Sequence, residues 1–256
     1  MFGKGKIVAF EGLDCSFKET NYKNFIKRLQ EEKGMECGYD KDIISESFPR
    51  YNNDITIPLK KWLSGELNRT ILKYMPSAVN SLYSINRMDF WINTNHNYLE
   101  HRQDHLFVFD RYILSSPIYN PIGMERATAT DVLVDTLQFC VPLPNIVVWM
   151  RMKDFDVLKS IIQNKNNKDE NEKDIEFLKN AWERSEEFLF KSNICKAIGT
   201  DLIVIDCLDE NNNIRSEKEL SDEIWDKVTP ILELPMYNRT GEELIGGLSE
   251  LITEYK

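Results

Sequence analysis

The stretch IVAFEGLDCSFKET, residues 7–20, decides how this chain is read. Its first four residues, Ile7 to Phe10, are apolar without polar alternation, the pattern of a strand buried on both faces. EGLDCSFKET then holds a glycine, a lysine and the first residues of a helical pattern. A strand, a tight turn and a helix start make an anion-binding layout. Backbone N–H groups and the helix dipole face the anion, and a lysine adds a full charge. The standard phosphate loop reads GxxxxGK followed by Ser or Thr. This chain keeps Gly12 and Lys18, with Phe17 at the second glycine position and Glu19 at the hydroxyl position. On these residues alone, a phosphate loop and an ordinary strand-to-helix turn both stand.

Four further short apolar runs follow, at 43–45, 106–109, 146–150 and 202–205. Longer segments with helical periodicity separate them, at 22–32, 71–105, 130–139 and 175–190. In the first of these, Phe25, Ile26 and Leu29 share a stripe. Strands alternating with helices predict an α/β fold, a five-stranded parallel sheet with helices on both faces. Such sheets bind ligands at the carboxyl ends of their strands. The residues just after each strand therefore carry the functional argument.

The second run ends in SESFPRY, residues 45–51. Pro49 stops a central strand, which leaves Arg50 in an extended turn. There it is either a phosphate clamp or a surface arginine. The third run leads into LFVFDRYILSSPIY, residues 106–119, where Asp110 and Arg111 follow four apolar residues. Two opposite charges at a buried edge are expensive unless they are paired or used. Between these segments, LYSINRMDF sets Tyr83 and Arg87 four residues apart on one helix face. That spacing suits an aromatic–arginine sandwich on a base, and equally a packing pair.

The formal net charge of −10 argues against broad binding to nucleic acid polymers, which needs a basic face. A small anionic substrate remains compatible, because a few converging arginines make a local positive pocket. The five cysteines show no CxxC pair, and this usage suits a reducing cytosol, so a cytoplasmic protein is expected. His96, His101 and His105 fall in a polar helical stretch and read as a solvated helix face rather than a zinc site. With no apolar run near 18 residues, neither a membrane span nor a signal peptide is expected. Residues 163–174, QNKNNKDENEKD, read as a surface loop or as a lid over a bound nucleotide. The whole chain, 1–256, is expected to form one domain, with 235–256 as a C-terminal extension holding a last helix at 241–255.

Taken in order, these segments resemble the thymidylate kinase family. The resemblance rests on FEGLDCSFKET, ESFPRY, IPLKKWLSG, LYSINR, FDRYILSSPIY and PLPNIVVWM, and spans residues 5–232. It implies ATP- and magnesium-dependent phosphorylation of a pyrimidine deoxynucleoside monophosphate, dTMP to dTDP foremost. Asp14 matches the loop aspartate near the acceptor sugar, and Lys18 the lysine that bridges the donor phosphates. Gly12, Ser16, Glu19 and Thr20 complete the expected ATP-binding loop. Arg50 and Arg111 match the arginines that hold the acceptor phosphate, Arg111 joining Asp14 and Lys18 as expected catalytic residues. Tyr83 matches the aromatic that stacks on the base, and Arg87 the arginine at the base edge. Ser115 and Tyr119 match positions lining base and deoxyribose. Asp110 matches the acidic residue near magnesium, with Glu19 or Thr20 as a second ligand. A homodimer through the helices between the second and third strands is also implied.

The departures fall on the donor side. Phe17 replaces a glycine, at a cost of roughly 1–2 kcal/mol if the site needs a positive φ. Glu19 replaces a metal-binding hydroxyl, and the loop offers Cys15 and Ser16 where the family can place an arginine. The lid segment has Lys165, Lys168 and Lys173 but no arginine, and lysine lacks the planar fork. Two alternatives follow: a nucleotide-binding protein that no longer transfers phosphate, or a kinase for a modified pyrimidine nucleotide.

Overall fold

A computed structural model describes residues 2–67, 76–92, 97–119, 129–166 and 170–235. The expected helix at 241–255, the extension beyond Pro235, His96 and Lys168 lie outside the described residues.

Five strands form one parallel sheet: β1 (Ile7–Gly12), β2 (Ile43–Ser47), β3 (Leu106–Asp110), β4 (Ile146–Arg151) and β5 (Asp201–Asp206). Their order is β2-β3-β1-β4-β5, so β1 lies at the centre. Each strand outlasts its apolar run by one or two residues. The ladder continues into the polar ends, pairing Phe10 with Asp110 and Gly12 with Met150. This extension sets Glu11 and Asp110 inside the sheet rather than in the loops after it.

The helices cover both faces. On one, α1 (Lys18–Lys33) packs beneath the sheet through Phe25, whose ring lies 5.5 Å from that of Phe10. In the order of the chain there follow α2 (Ile57–Leu63), α3 (Pro76–Ile92), α4 (Ser115–Tyr119), α5 (Ala129–Leu137), α6 (Phe155–Gln163), α7 (Glu170–Lys173), α8 (Ile175–Phe190), α9 (Ile194–Ala197) and α10 (Glu217–Glu233). Helix α10 lies beside α1, with Trp225 5.8 Å from Phe25 and under the Arg28 guanidinium. On the far face, Phe90 and Trp91 of α3 pack against Phe107 and Phe109 of β3. The central residues Ile7 to Phe10 are fully buried, as continuous apolar character requires.

The helix expected over 71–105 is shorter among the described residues. Residues 98–101 form a turn, and Arg102–Asp104 is a 3₁₀ turn. Asn97 adopts the left-handed region at φ 45°, which asparagine tolerates better than most residues. Tyr98 then folds back and stacks on Phe90 at 5.0 Å, fully buried. Of the histidines expected on a solvated face, His105 departs from it. His101 is exposed, whereas His105 is buried and bonds the Lys41 carbonyl oxygen through Nδ1 at 2.6 Å.

Candidate active site

In the order β2-β3-β1-β4-β5, the connection from β1 runs toward β2 on one side and that from β4 toward β5 on the other. The crevice at the carboxyl end of β1 is where α/β folds bind ligands. The loop from Leu13 to Phe17 closes that crevice. A Cβ on Gly12 would lie 2.5 Å from Ser16 Oγ and 2.9 Å from the Met150 carbonyl oxygen, so only glycine fits. Ser16 is buried and donates its hydroxyl to the Leu13 carbonyl at 2.8 Å, holding the loop closed on itself. Cys15 and Phe17 both take left-handed backbone, at φ 62° and 60°. Arg111, across the crevice, does the same at φ 61°. Non-glycine residues in this region cost about 1 kcal/mol or more each and persist where surrounding contacts enforce them.

The loop carries Lys18 as the first residue of α1. Its ammonium lies 2.8 Å from Asp110 Oδ1, with both side chains almost fully buried. Ser47 Oγ approaches the other Asp110 oxygen at 3.5 Å. Burial, with the Arg111 charge nearby, lowers the Lys18 pKa from the ordinary lysine value, while Asp110 opposes the shift. One residue on, Arg111 pairs with Asp14 and donates to the Gly12 carbonyl at 3.1 Å and to Ser115 Oγ at 3.3 Å. The Tyr119 hydroxyl donates to Asp14 Oδ2 at 3.3 Å and accepts from the Asp14 N–H at 3.0 Å. Its ring lies 5.3 Å from the Arg111 guanidinium. Asp14, Lys18, Asp110, Arg111, Ser115 and Tyr119 thus form one connected polar group around the carboxyl ends of β1 and β3.

Glu11 belongs to this group, although sequence reasoning passed it over. The side chain is fully buried, and Oε1 accepts from the N–H groups of Tyr112 and Leu114 at 2.9 and 3.0 Å. Oε2 accepts from the Ser115 hydroxyl at 2.5 Å. This carboxylate ties the segment after β3 to the end of β1 and so orients Arg111. The signal was available: a charged residue closing an apolar strand needs a partner, the argument applied to Asp110.

The remaining expected residues stand around this centre. Arg50 bonds Glu46 at 3.0 Å and Asp89 at 2.9 Å, so two carboxylates already share its charge. Asn86 holds the backbone of Arg50 through both its N–H and its carbonyl. Arg87 is buried, and donates to the Tyr112 carbonyl, Ser84 Oγ and Ser116 Oγ, each at 3.1 Å. Burial lowers its pKa to about 10, with Tyr112, Glu11 and Tyr83 opposing the shift. Tyr83 lies one residue before Ser84 on the same helix, α3. Glu19 and Thr20 point outward on α1, and Glu19 pairs with Lys23 in solvent at 2.5 Å. The structure therefore gathers Asp110 with Lys18 but leaves Glu19 and Thr20 apart from them.

Among the described residues, no group of three or more His, Cys, Asp or Glu side chains could hold a metal ion. This donor set does not make a protein cage. It does fit magnesium, which keeps waters, takes phosphate oxygens from its substrate and needs one or two carboxylates. Nor is any helix among these residues long and apolar enough to cross a membrane.

No protein-family model matches the chain, and no curated protein sequence matches it. Among solved structures, it is similar to a thymidylate kinase from Candida albicans, with a TM-score of 0.61 and 14% identity. That match covers 93% of this chain and 96% of the other. At this identity the likeness is one of architecture: the chain shares that structure's fold, with a five-stranded parallel sheet between helices.

Proposed function

We propose that the protein is a nucleoside-monophosphate kinase that transfers phosphate from ATP to a pyrimidine deoxynucleoside monophosphate, dTMP foremost. The carrying observation is the connected group of Lys18, Asp110, Asp14, Arg111 and Tyr119 beside a phosphate loop. Phosphoryl transfer asks little covalent chemistry of a protein and depends on positioning and charge neutralisation. Here the donor lysine pairs with Asp110 and the acceptor arginine, the next residue in the chain, pairs with Asp14, so both phosphates would meet at one crevice.

On this reading Lys18 binds the donor phosphates and exchanges Asp110 for them. Arg111, already aimed by Asp14, Ser115 and the Gly12 carbonyl, holds the acceptor phosphate with Arg50. Tyr119, bonded to Asp14, fixes the sugar side of the acceptor pocket. Tyr83 and Arg87 flank the base, and Arg87 also ties α3 to the segment after β3. Gly12, Ser16 and the loop N–H groups cradle the donor phosphates. Magnesium supplies charge neutralisation for the transferring group; Asp110 would hold it, and Glu19 or Thr20 would join after turning inward. We place the protein in the cytoplasm as a single domain over 1–256, working as a homodimer.

A second reading has two observations in its favour. Glu19 and Thr20 face solvent, and Phe17 occupies the left-handed position where glycine is usual. That arrangement suits a protein that binds nucleotide without transferring phosphate. A chromatographic assay with ATP and magnesium against dTMP, dUMP, dCMP, dGMP and dAMP separates the two. Formation of a pyrimidine diphosphate by the parent, and none by Lys18→Ala, supports the kinase. Absence of product from every acceptor, with dTMP still bound, supports the second reading.

A further inference from the structure

Helix α4 has five residues, too few to hold itself, so its place depends on what grips its two ends. Glu11 grips the start, accepting from the Ser115 N–H at 3.3 Å and from the Ser115 hydroxyl at 2.5 Å. At the other end the last carbonyls have no partner within the helix. One of them, that of Ile118, accepts from Arg184 Nε at 2.8 Å. Arg184 stands on α8, seven residues beyond Phe177 and so on the same face. The Phe177 ring lies 6.1 Å from that of Tyr119. Helix α8 therefore holds the end of α4 at two points, the Ile118 backbone and the Tyr119 ring.

The guanidinium is poorly matched in charge. Its Nη2 is buried and has no hydrogen-bond partner. Among the described residues, Glu183 is the acidic group that acts on it, and that side chain is 53% exposed and stands 3.6 Å from Lys179. Burial lowers the Arg184 pKa to about 10, with Glu183 opposing the shift. Arg50, Arg111 and Arg151, by contrast, each pair with a carboxylate. A methionine would fill this place with no charge to desolvate, so packing does not account for a guanidinium here. What the charge adds is a strong, directional bond to the Ile118 carbonyl, one residue from Tyr119.

We propose that Arg184 is a positioning residue for the acceptor site, which sets the Tyr119 hydroxyl on Asp14 by holding the Ile118 carbonyl. The assignment rests on the reading of that pocket as the acceptor site. Tyr119 meets Asp14 through two hydrogen bonds, of 3.0 and 3.3 Å, and Asp14 pairs in turn with Arg111. Such bonds weaken steeply with small changes of length and angle. Releasing the end of α4 would therefore loosen Tyr119 first and Asp14 after it. Lys18 with Asp110, and Ser16 with Leu13, stand outside this chain of contacts. Acceptor binding should feel the loss of Arg184 while donor binding does not. Arg184 touches no reacting atom in this scheme.

The test is calorimetric titration with dTMP and, separately, with magnesium–AMPPNP, an ATP analogue that cannot transfer phosphate. The proteins are the parent, Arg184→Met, Arg184→Lys, Tyr119→Phe and the double variant Arg184→Met/Tyr119→Phe. Arg184→Met should weaken dTMP binding about tenfold and leave magnesium–AMPPNP within about twofold of the parent. Arg184→Lys, which can still bring a charge to the carbonyl, should restore dTMP binding to within about threefold. The double variant should match Tyr119→Phe within about twofold, because Arg184 acts through that hydroxyl. Equal dTMP affinity of Arg184→Met and parent overturns the assignment. So do losses that add in the double variant, or a matching loss of magnesium–AMPPNP binding. If Arg184→Met does not fold, Arg184→Gln, which keeps a neutral donor, should show the same selective loss of dTMP, and its absence there overturns the assignment too. A parent that binds no dTMP overturns the acceptor reading and this assignment with it. A parent that binds and phosphorylates dTMP, while Arg184→Met binds it equally well, loses the role of Arg184 alone.

Discussion

Replacing Lys18 by Met removes the ammonium while keeping most of the stem, and leaves Asp110 inside the sheet edge. At the observed 2.8 Å, the two charges attract by about 6 kcal/mol at an effective dielectric constant near 20. Desolvation of two nearly buried ions costs several kcal/mol each, so the intact pair contributes little net stability. Removing one partner is different. A buried carboxylate without its cation typically costs roughly 3–5 kcal/mol. Arg111 remains close enough to act on Asp110, which places Lys18→Met near the lower end. A loss of about 3 kcal/mol corresponds to a fall of roughly 6–12 °C in the midpoint for a chain of this size. Asp110→Asn strands Lys18 next to Arg111, and should destabilise by a similar amount. The double variant Lys18→Met/Asp110→Asn carries neither charge and should recover most of the loss. Urea unfolding followed by tryptophan fluorescence gives all three free energies, and a coupling of at least about 2 kcal/mol is expected. Effects that add to within about 0.5 kcal/mol would refute the reasoning, because the two charges would then not compensate each other. Phosphotransfer should be absent in all three variants. A stable but inactive double variant would separate the catalytic use of the pair from its structural one.

Gly12→Ala should destabilise by about 1–3 kcal/mol, because its Cβ would meet the Met150 carbonyl and Ser16 Oγ inside van der Waals contact; urea unfolding measures it. Ser216 caps α10 in a reciprocal box with Glu219, so Ser216→Ala should lower the thermal midpoint by about 2–4 °C at neutral pH. The hydrogen bonds from Ser216 hold the Glu219 carboxyl below its usual value. That contribution is present above the ordinary carboxylate range and is lost as pH falls through the depressed value, so the gap between parent and variant should narrow on acidification. A thiol reagent should label exposed Cys140 first. Cys195 and Cys207, buried and pushed up to about 12 by desolvation, should react only when the chain unfolds.

The strands were legible because a parallel sheet covered on both faces demands unbroken apolar runs, and this chain has five. The loop residues Gly12 and Lys18 could be located from their spacing alone. The conformation of Phe17 could only be posed as a question. Its φ of 60° comes from the closed loop, with Ser16 folded onto Leu13 and the α1 axis aimed at the crevice. The placement of Tyr98 was not legible either. Residues 98–101 keep helical periodicity in the sequence, and only the presence of Phe90 and Phe107 makes it favourable for the Tyr98 ring to pack there.

Local order along the chain was thus written in the sequence: strand, tight loop, helix, and a charged pair at the end of the third strand. Spacing and polarity are properties of neighbours in the chain, so they can be read without coordinates. Which charges meet is a property of strand order. Because β1 lies between β3 and β4, Asp110 comes to Lys18, Arg111 to Asp14, and Glu11 to the backbone of Tyr112 and Leu114. The same packing engages Arg50 with Glu46 and Asp89 and turns Glu19 to solvent. Asp110, Asp14, Glu11 and Asp89 lie tens of residues from their partners in the chain, and burial selected among them by making unpaired charge too costly to keep.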